Sequence, residues 1–285
     1  MAGHRTGGAM EYLILTGVLL FLIFLIYGYV LNFALKTEYY TVSSASIRQD
    51  IRLVLLTDLH ACEHGPGNSR LLNKIQQLSP DFICIAGDMT VKGGKNTESV
   101  LVFLHRLSQR YPIYYAPGNH EIRMTEHHEY RRRLQEMGIQ YLENQTISLK
   151  ENICIAGLDM PEYWYHKFWQ KRVCSPEYIE ELLGSRKKGA FTILLAHNPE
   201  YFPCYAEWGA DLTLSGHIHG GMARLPLLGG VISPSLRLFP KYDAGQYESR
   251  GRFMILSRGL GLHDIKFRFF NVPEISCIKL QKMAR

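Results

Sequence analysis

Residues 214–221 read LSGHIHGG, which sets His217 and His219 one residue apart among glycines. Imidazole binds metals and moves protons near neutral pH. An H-x-H in a glycine loop is by itself either a surface loop or a pair of ligands, and partners elsewhere in the chain decide between them. Polar groups of the right kind follow the other apolar runs. IRLVLLT leads into Asp58-Leu59-His60, DFICIAG into Asp88, PIYYAPG into Asn119-His120-Glu121, and FTILLA into His197. Taken singly, an Asp after a strand is a helix cap and a His is a satisfied loop or core residue. Groups of this kind at five strand ends are poorly explained by coincidence. In open α/β sheets ligands gather at the carboxyl ends of parallel strands, so one rim can collect them all.

Asp58, His60, Asp88, Asn119, His197, His217 and His219 offer carboxylate, imidazole and amide donors. That set suits zinc, iron, manganese or cobalt, and the absence of thiolates argues against a closed structural zinc site. Seven donors exceed what one tetrahedral ion takes but suit two ions that share a bridging carboxylate. Two ions about 3.5–4 Å apart clamp a phosphoryl group and lower the pKa of a water between them.

The elements that must position these groups follow from the hydrophobic pattern. Short apolar runs at 51–57, 81–87 and 112–118 alternate with the helix-like stretches SRLLNKIQQLS, ESVLVFLHRLSQR and HHEYRRRLQEMG. Strands separated by helices of this length indicate βαβ units in a largely parallel sheet. Further on, TISLKENICIAGLD predicts a hairpin, and FTILLAHN, DLTLSGH, FMILSRG and EISCIKL predict strands. Two sheets flanked by helices fit this order. Residues 50–285 are expected to form one α/β domain, preceded by a juxtamembrane linker at 36–49, an apolar segment at 12–35 and a flank at 1–11.

The apolar segment, Tyr12 to Leu35, carries no charged residue. As a helix it reaches roughly 36 Å, enough for a hydrocarbon core of about 30 Å. A cleaved signal peptide and a buried core helix are the alternatives. The length of the run, the lack of an A-x-A site and the lack of a twin-arginine pair favour an uncleaved single-pass anchor. Tyr27, Tyr29, Tyr39 and Tyr40 suit an interfacial belt. Arg5 flanks one side, and Lys36, Arg48 and Arg52 the other; by the positive-inside rule these counts favour a cytoplasmic domain.

With 285 residues, 46% of them hydrophobic, the chain can bury a substantial core. A net charge of +6 suits an anionic membrane surface or a phosphate-bearing substrate. Arg131-Arg132-Arg133 reads as a solvated helix face rather than a nucleic-acid patch, and no nucleic-acid partner is expected. None of the six cysteines has CxxC spacing, and Cys84, Cys154 and Cys277 fall inside strand runs as reduced core residues.

D-x-H, G-D, G-N-H-E, a later single His and G-H-x-H, in this order, resemble the calcineurin-like metallophosphoesterase superfamily. The resemblance covers residues 50–280. The tail, from GHIHGG through FPKYDAGQYE and SRGLG to FRFFNVPEI, resembles the membrane-associated bacterial branch typified by the YkuE and YaeI proteins. The resemblance implies a four-layer α/β/β/α sandwich. It implies Asp58, His60 and His219 on one metal, Asp88 bridging, and Asn119, His197 and His217 on the second. His120 then matches the histidine that contacts the phosphoryl or leaving oxygen. The implied chemistry is in-line attack by a metal-held hydroxide without a phosphoenzyme. Where the branch pattern leads one to expect Gln after GHxHGG, this chain has Met222, a position without a metal role.

The anchor points to a phosphoester substrate near the bilayer, lipid-linked or part of the envelope. A UDP-2,3-diacylglucosamine pyrophosphatase of lipid A synthesis is the alternative within the enzyme class. A non-catalytic scaffold on the same fold is the alternative outside it, disfavoured by the complete donor set and His120. Residues 160–172, MPEYWYHKFWQKR, hold Tyr163, Trp164, Tyr165, Phe168 and Trp169, which form either a flap over the site or a local subcore. Arg123 is expected to be a helix-start or surface charge, with steering of an anionic substrate as the other possibility.

Overall fold

Strands that are apolar on both faces can be buried only between other layers. The computed structural model describes residues 5–31, 34–165, 172–221, 223–225, 228–233, 237–261, 268 and 270–283. In the first sheet, β1 (Lys36–Ser44), β2 (Ile51–Leu56), β3 (Phe82–Ala86), β4 (Ile113–Ala116), β5 (Gln140–Tyr141) and the late strand β14 (Glu274–Lys282) lie in the order β1-β14-β2-β3-β4-β5. The second comprises β6 (Gln145–Ser148), β7 (Ile153–Leu158), β8 (Phe191–Ala196), β9 (Leu212–Ser215), β12 (Gly245–Ser249) and β13 (Arg252–Leu256), ordered β12-β13-β9-β8-β7-β6. A separate antiparallel hairpin joins β10 (Ala223–Leu225) to β11 (Gly229–Ile232).

Alternation along each strand builds the layers. In β2, Leu53 and Leu55 face the second sheet, where they meet Ile155, Ile193, Leu195 and Leu214. Val54 and Leu56 face the other way, onto α2 (Ser69–Leu78), α3 (Thr97–Ser108) and α5 (His127–Glu136). On the far side, Leu194, Ala196, Met254 and Leu256 pack with Ile179 of α6 (Pro176–Leu183) and Phe202 and Tyr205 of α7 (Phe202–Trp208). The result is the expected α/β/β/α sandwich. β2, β3 and β4 pair in parallel, as do β7, β8 and β9, so their carboxyl ends share one rim in each sheet. Each arginine of Arg131-Arg132-Arg133 pairs with a carboxylate: Glu143, Glu129 with Glu136, and Glu98.

Two expectations are corrected at the front of the chain. Residues 36–44, expected to be linker, form β1, whose nine residues pair in parallel with β14. Tyr40 accordingly belongs to the sheet and donates to Glu274 Oε1 at 3.2 Å, whereas Tyr39 points outward. The helix α1 (Arg5–Leu31) ends before Leu35, which is buried in the domain core. Gly8–Leu31, 24 residues, is long and apolar enough to cross a membrane, and its side chains stand outside the domain. That exposure excludes a buried core helix.

Candidate metal centre

Each candidate residue leaves its strand through a short loop, and backbone hydrogen bonds tie these loops together. After β2, Asp58 donates its N–H to Gly87 O (3.0 Å) and His60 to Asp88 O (3.1 Å). Beyond β9, His217 N–H donates to both oxygens of Asp58 (3.1 Å each), and Gly216 N–H to His197 O (3.1 Å). From the short α4 (Asn119–Ile122), His120 N–H donates to Asp88 Oδ1 (2.8 Å). Asp58, His60, Asp88, His217 and His219 all have positive φ, between 47° and 72°. For a residue with a Cβ this conformation costs about 1–2 kcal/mol, so the stitched loops must hold it. Gly216 packs against Asp58 and Thr57 so closely that a Cβ there would overlap both side chains.

The donor atoms converge. His219 Nε2 lies 3.3 Å from Asp58 Oδ1 and 3.0 Å from His60 Nε2, while His197 Nε2 lies 3.1 Å from Asp88 Oδ2. One tight group contains Asp58, His60 and His219, and another contains Asp88, His197 and His217. A third joins His60, Asp88 and His120, so His60 and Asp88 each belong to two groups and link the first group to the second. Asn119, at the start of α4, is buried, and its Oδ1 has no hydrogen-bond partner among the described residues. A buried amide oxygen left without a donor is expensive unless a cation satisfies it. His197 Nδ1 lies 2.6 Å from Ala86 O, a pure acceptor, so Nδ1 carries a hydrogen and Nε2, turned toward Asp88, is the nitrogen left for a cation. The donor set therefore fits divalent ions.

His120 differs from the other histidines. Its Nδ1 accepts Lys92 N–H at 2.8 Å, so in the neutral ring the hydrogen is on Nε2, 3.8 Å from Asp88 Oδ2. In that tautomer the ring can donate from Nε2. Burial and charge set the other protonation states. Burial pushes the Asp58 carboxyl up, whereas for Asp88 the same burial is outweighed by His197, His120 and His60, which hold it well below the usual carboxylate range. Burial alone would depress His197, but Asp88 and Asp58 raise it.

The sequence pattern of the calcineurin-like phosphoesterases (Metallophos) matches residues 51–221, more than half of the chain and all of the strand ends just described. The chain belongs to the calcineurin-like phosphoesterase family. This is a class of phosphoric ester hydrolases. Its relatives include the Bacillus subtilis metallophosphoesterase YkuE, 26% identical over 87% of this chain and 86% of that protein. A Helicobacter pylori metallophosphoesterase is 27% identical over 81% of this chain, which spans 60% of that relative's length. A zebrafish (Danio rerio) transmembrane protein with a metallophosphoesterase domain is 28% identical over 81% of this chain and 53% of its own. Among solved structures, TT1561 of Thermus thermophilus aligns with a TM-score of 0.48 and 14% identity over 74% of this chain and 90% of that one.

Several residues that organise this calcineurin-like site carry weaker sequence signals. Glu121 is fully buried and accepts N–H groups from Asp88 (2.7 Å), Gly118 (2.9 Å) and Thr90 (3.1 Å) and the Tyr115 hydroxyl (2.9 Å). Its place three residues after Gly118, at a helix start, was the available signal. Asn271 Nδ2 donates to His219 O (2.6 Å) and Gly221 O (2.8 Å), clamping the H-x-H loop from 50 residues away in the chain. No local pattern marks it. Tyr165 sets its ring 5.3 Å from that of His217 and 5.9 Å from that of His197. Trp164 instead enters the subcore, stacked on Tyr178 at 5.0 Å and edge-on to Tyr201 at 5.1 Å. The aromatic segment is thus subcore at Trp164 and site wall at Tyr165; Phe168, Trp169 and Met222 lie outside the described residues. Arg123 pairs with Glu162 at 2.8 Å, joining α4 to that segment.

Proposed function

We propose that this protein is a membrane-anchored, two-metal phosphodiesterase. Asp58, His60 and His219 would hold one divalent ion and Asn119, His197 and His217 a second, with Asp88 serving both. Two donor groups linked through His60 and Asp88 support this assignment. When bound, the ions supply Lewis acidity to the phosphoryl oxygens and to the attacking water. The chain's own contribution is to position and to donate. His120, held by Lys92 N–H at Nδ1, offers Nε2–H to the phosphoryl or leaving oxygen. Tyr165 walls the side of the site formed by His197 and His217.

Stripping and re-adding Mn²⁺, Fe²⁺, Zn²⁺ or Co²⁺, with turnover of bis-p-nitrophenyl phosphate measured, tests the assignment. Turnover should vanish with the metal and return with at least one of these ions; no metal-dependent turnover on any phosphoester would leave a scaffold. The substrate is a lipid-linked or envelope phosphoester, supported by α1 and by the contact of its Tyr27 with Phe270, one residue from the loop clamp Asn271 (ring centroids 5.4 Å). Direct assay of UDP-2,3-diacylglucosamine separates the nucleotide-sugar lipid from other membrane phosphodiesters.

The chain crosses the bilayer once, with its domain in the cytoplasm. Cys174 and Cys204, whose Sγ atoms lie 2.8 Å apart, report the side. Thiol alkylation in intact cells followed by peptide mapping should find both reduced. A linked 174–204 peptide would place the domain in an oxidising compartment.

A further inference from the structure

The described surface of the domain has an apolar patch beside the exit of α1. β10 and β11 carry Leu225 and, in their turn, Leu228, and the chain then folds back against β11, with Phe239 N–H donating to Val231 O at 2.8 Å and Leu238 bridged to Ile232. Leu228, Leu238 and Phe239 are 66%, 65% and 60% exposed. Leu225, Leu228 and Phe270 border a cleft whose other walls include Arg224, Asp243 and Arg258. Phe270 in turn meets Tyr27, four residues before the end of α1, or about 6 Å along the helix axis. Phe270 thus joins the edge of this cleft, whose cations suit lipid phosphates, to the end of the apolar helix.

Strand register places the metal rim at the same end of the molecule. α1 feeds β1, whose first residue Lys36 pairs with Glu274 at the start of β14. β14 runs antiparallel to β2, with Ser276 opposite Leu55, so the carboxyl end of β2 lies beside the entry from α1. Asp58 follows three residues after Leu55. The hairpin itself leaves the H-x-H loop directly, since β10 begins four residues after His219. Asn271, next to Phe270, holds that loop by its carbonyls.

We propose that the β10–β11 hairpin, the return segment 237–239 and Phe270 seat in the bilayer that α1 crosses, so that the metal rim faces the lipid headgroups. The partner is a lipid surface, and the substrate class is a phosphoester whose apolar part stays in the membrane. This rests on the anchoring of α1 set out above, and not on turnover. Apolar side chains seated at the headgroup boundary beside an anchor add buried area without a second transmembrane segment.

The test uses the full-length protein in phosphatidylcholine–phosphatidylglycerol vesicles, with and without brominated acyl chains. Leu228→Trp and Phe239→Trp place a reporter in the patch. Met283→Trp places one at the opposite end of β14, where Met283 is 51% exposed. Signals are taken relative to the unsubstituted protein, which has three tryptophans. Bromine should quench the added emission of Leu228→Trp and Phe239→Trp and leave that of Met283→Trp unchanged. Equal behaviour at the three positions in vesicle-bound protein overturns the docking and leaves the anchor standing. A concentration-dependent blue shift without bromine quenching assigns the patch to a second copy and also overturns it. Failure of the protein to float with the vesicles removes the anchor and the docking together. None of these readouts needs catalysis, so an inactive enzyme is distinguishable from a misassigned surface.

Discussion

At the scale of single residues, the roles proposed for Asp88 and His120 separate metal binding from proton donation. Asp88→Asn keeps the shape but weakens the charge shared by both donor groups, so metal analysis should find the occupancy of both sites reduced and turnover lost with it. Full occupancy in that variant would refute the bridge. His120→Ala should leave metal content near normal and lower turnover by about 10²-fold or more, the magnitude typical of a positioned general acid. His64 supplies a pH effect. Buried, with its Nε2–H donating to Leu260 O at 2.9 Å, it is held below its ordinary pKa, first by burial. The unfolded chain takes up a proton near pH 6.5 that the fold resists, so the contribution of His64 to stability is flat above about pH 6.5 and falls as the pH drops below it. His64→Gln should flatten that part of the stability curve relative to the unsubstituted protein, as measured by thermal unfolding in detergent at about pH 7.5 and about pH 5.5. An identical slope in both proteins would show that His64 does not contribute.

At the scale of elements, the α4 start and the loop after β3 are joined through one carboxylate. Glu121 takes backbone N–H groups from both, and hydrogen bonds to a charged group contribute about 1.5–3 kcal/mol each. Glu121→Gln turns an amide NH₂ toward these donors in a buried place. It should lower unfolding stability by roughly 2–4 kcal/mol and loosen metal binding. A change in denaturation midpoint within error would show the hub to be replaceable. Strands, helices and their carboxyl-end polar groups were readable because burial periodicity is local: 51–57 became β2 and TISLKENICIAGLD became the β6–β7 hairpin. β1 was not, because KTEYYTVSS is an edge strand with only Val42 buried, and its polar composition matches a linker.

At the scale of the molecule, the two sheets meet through side chains from strands far apart in sequence. Leu55→Ala, between the sheets, should cost about 2–5 kcal/mol in an unfolding titration, with metal affinity falling only as the fold fails. A loss below about 1 kcal/mol would mean that the interface repacks around the cavity. Residue types and their order along the chain already determined the α/β layering, the apolar helix and the inventory of candidate metal donors. Each depends on a local period or on a side chain's own chemistry. Tertiary structure alone decided that Asn271 clamps the H-x-H loop, that Tyr165 walls the site while Trp164 enters the core, and that the metal rim shares an end with α1. Those relations join residues tens to hundreds of positions apart, and only strand register and loop closure bring such residues together.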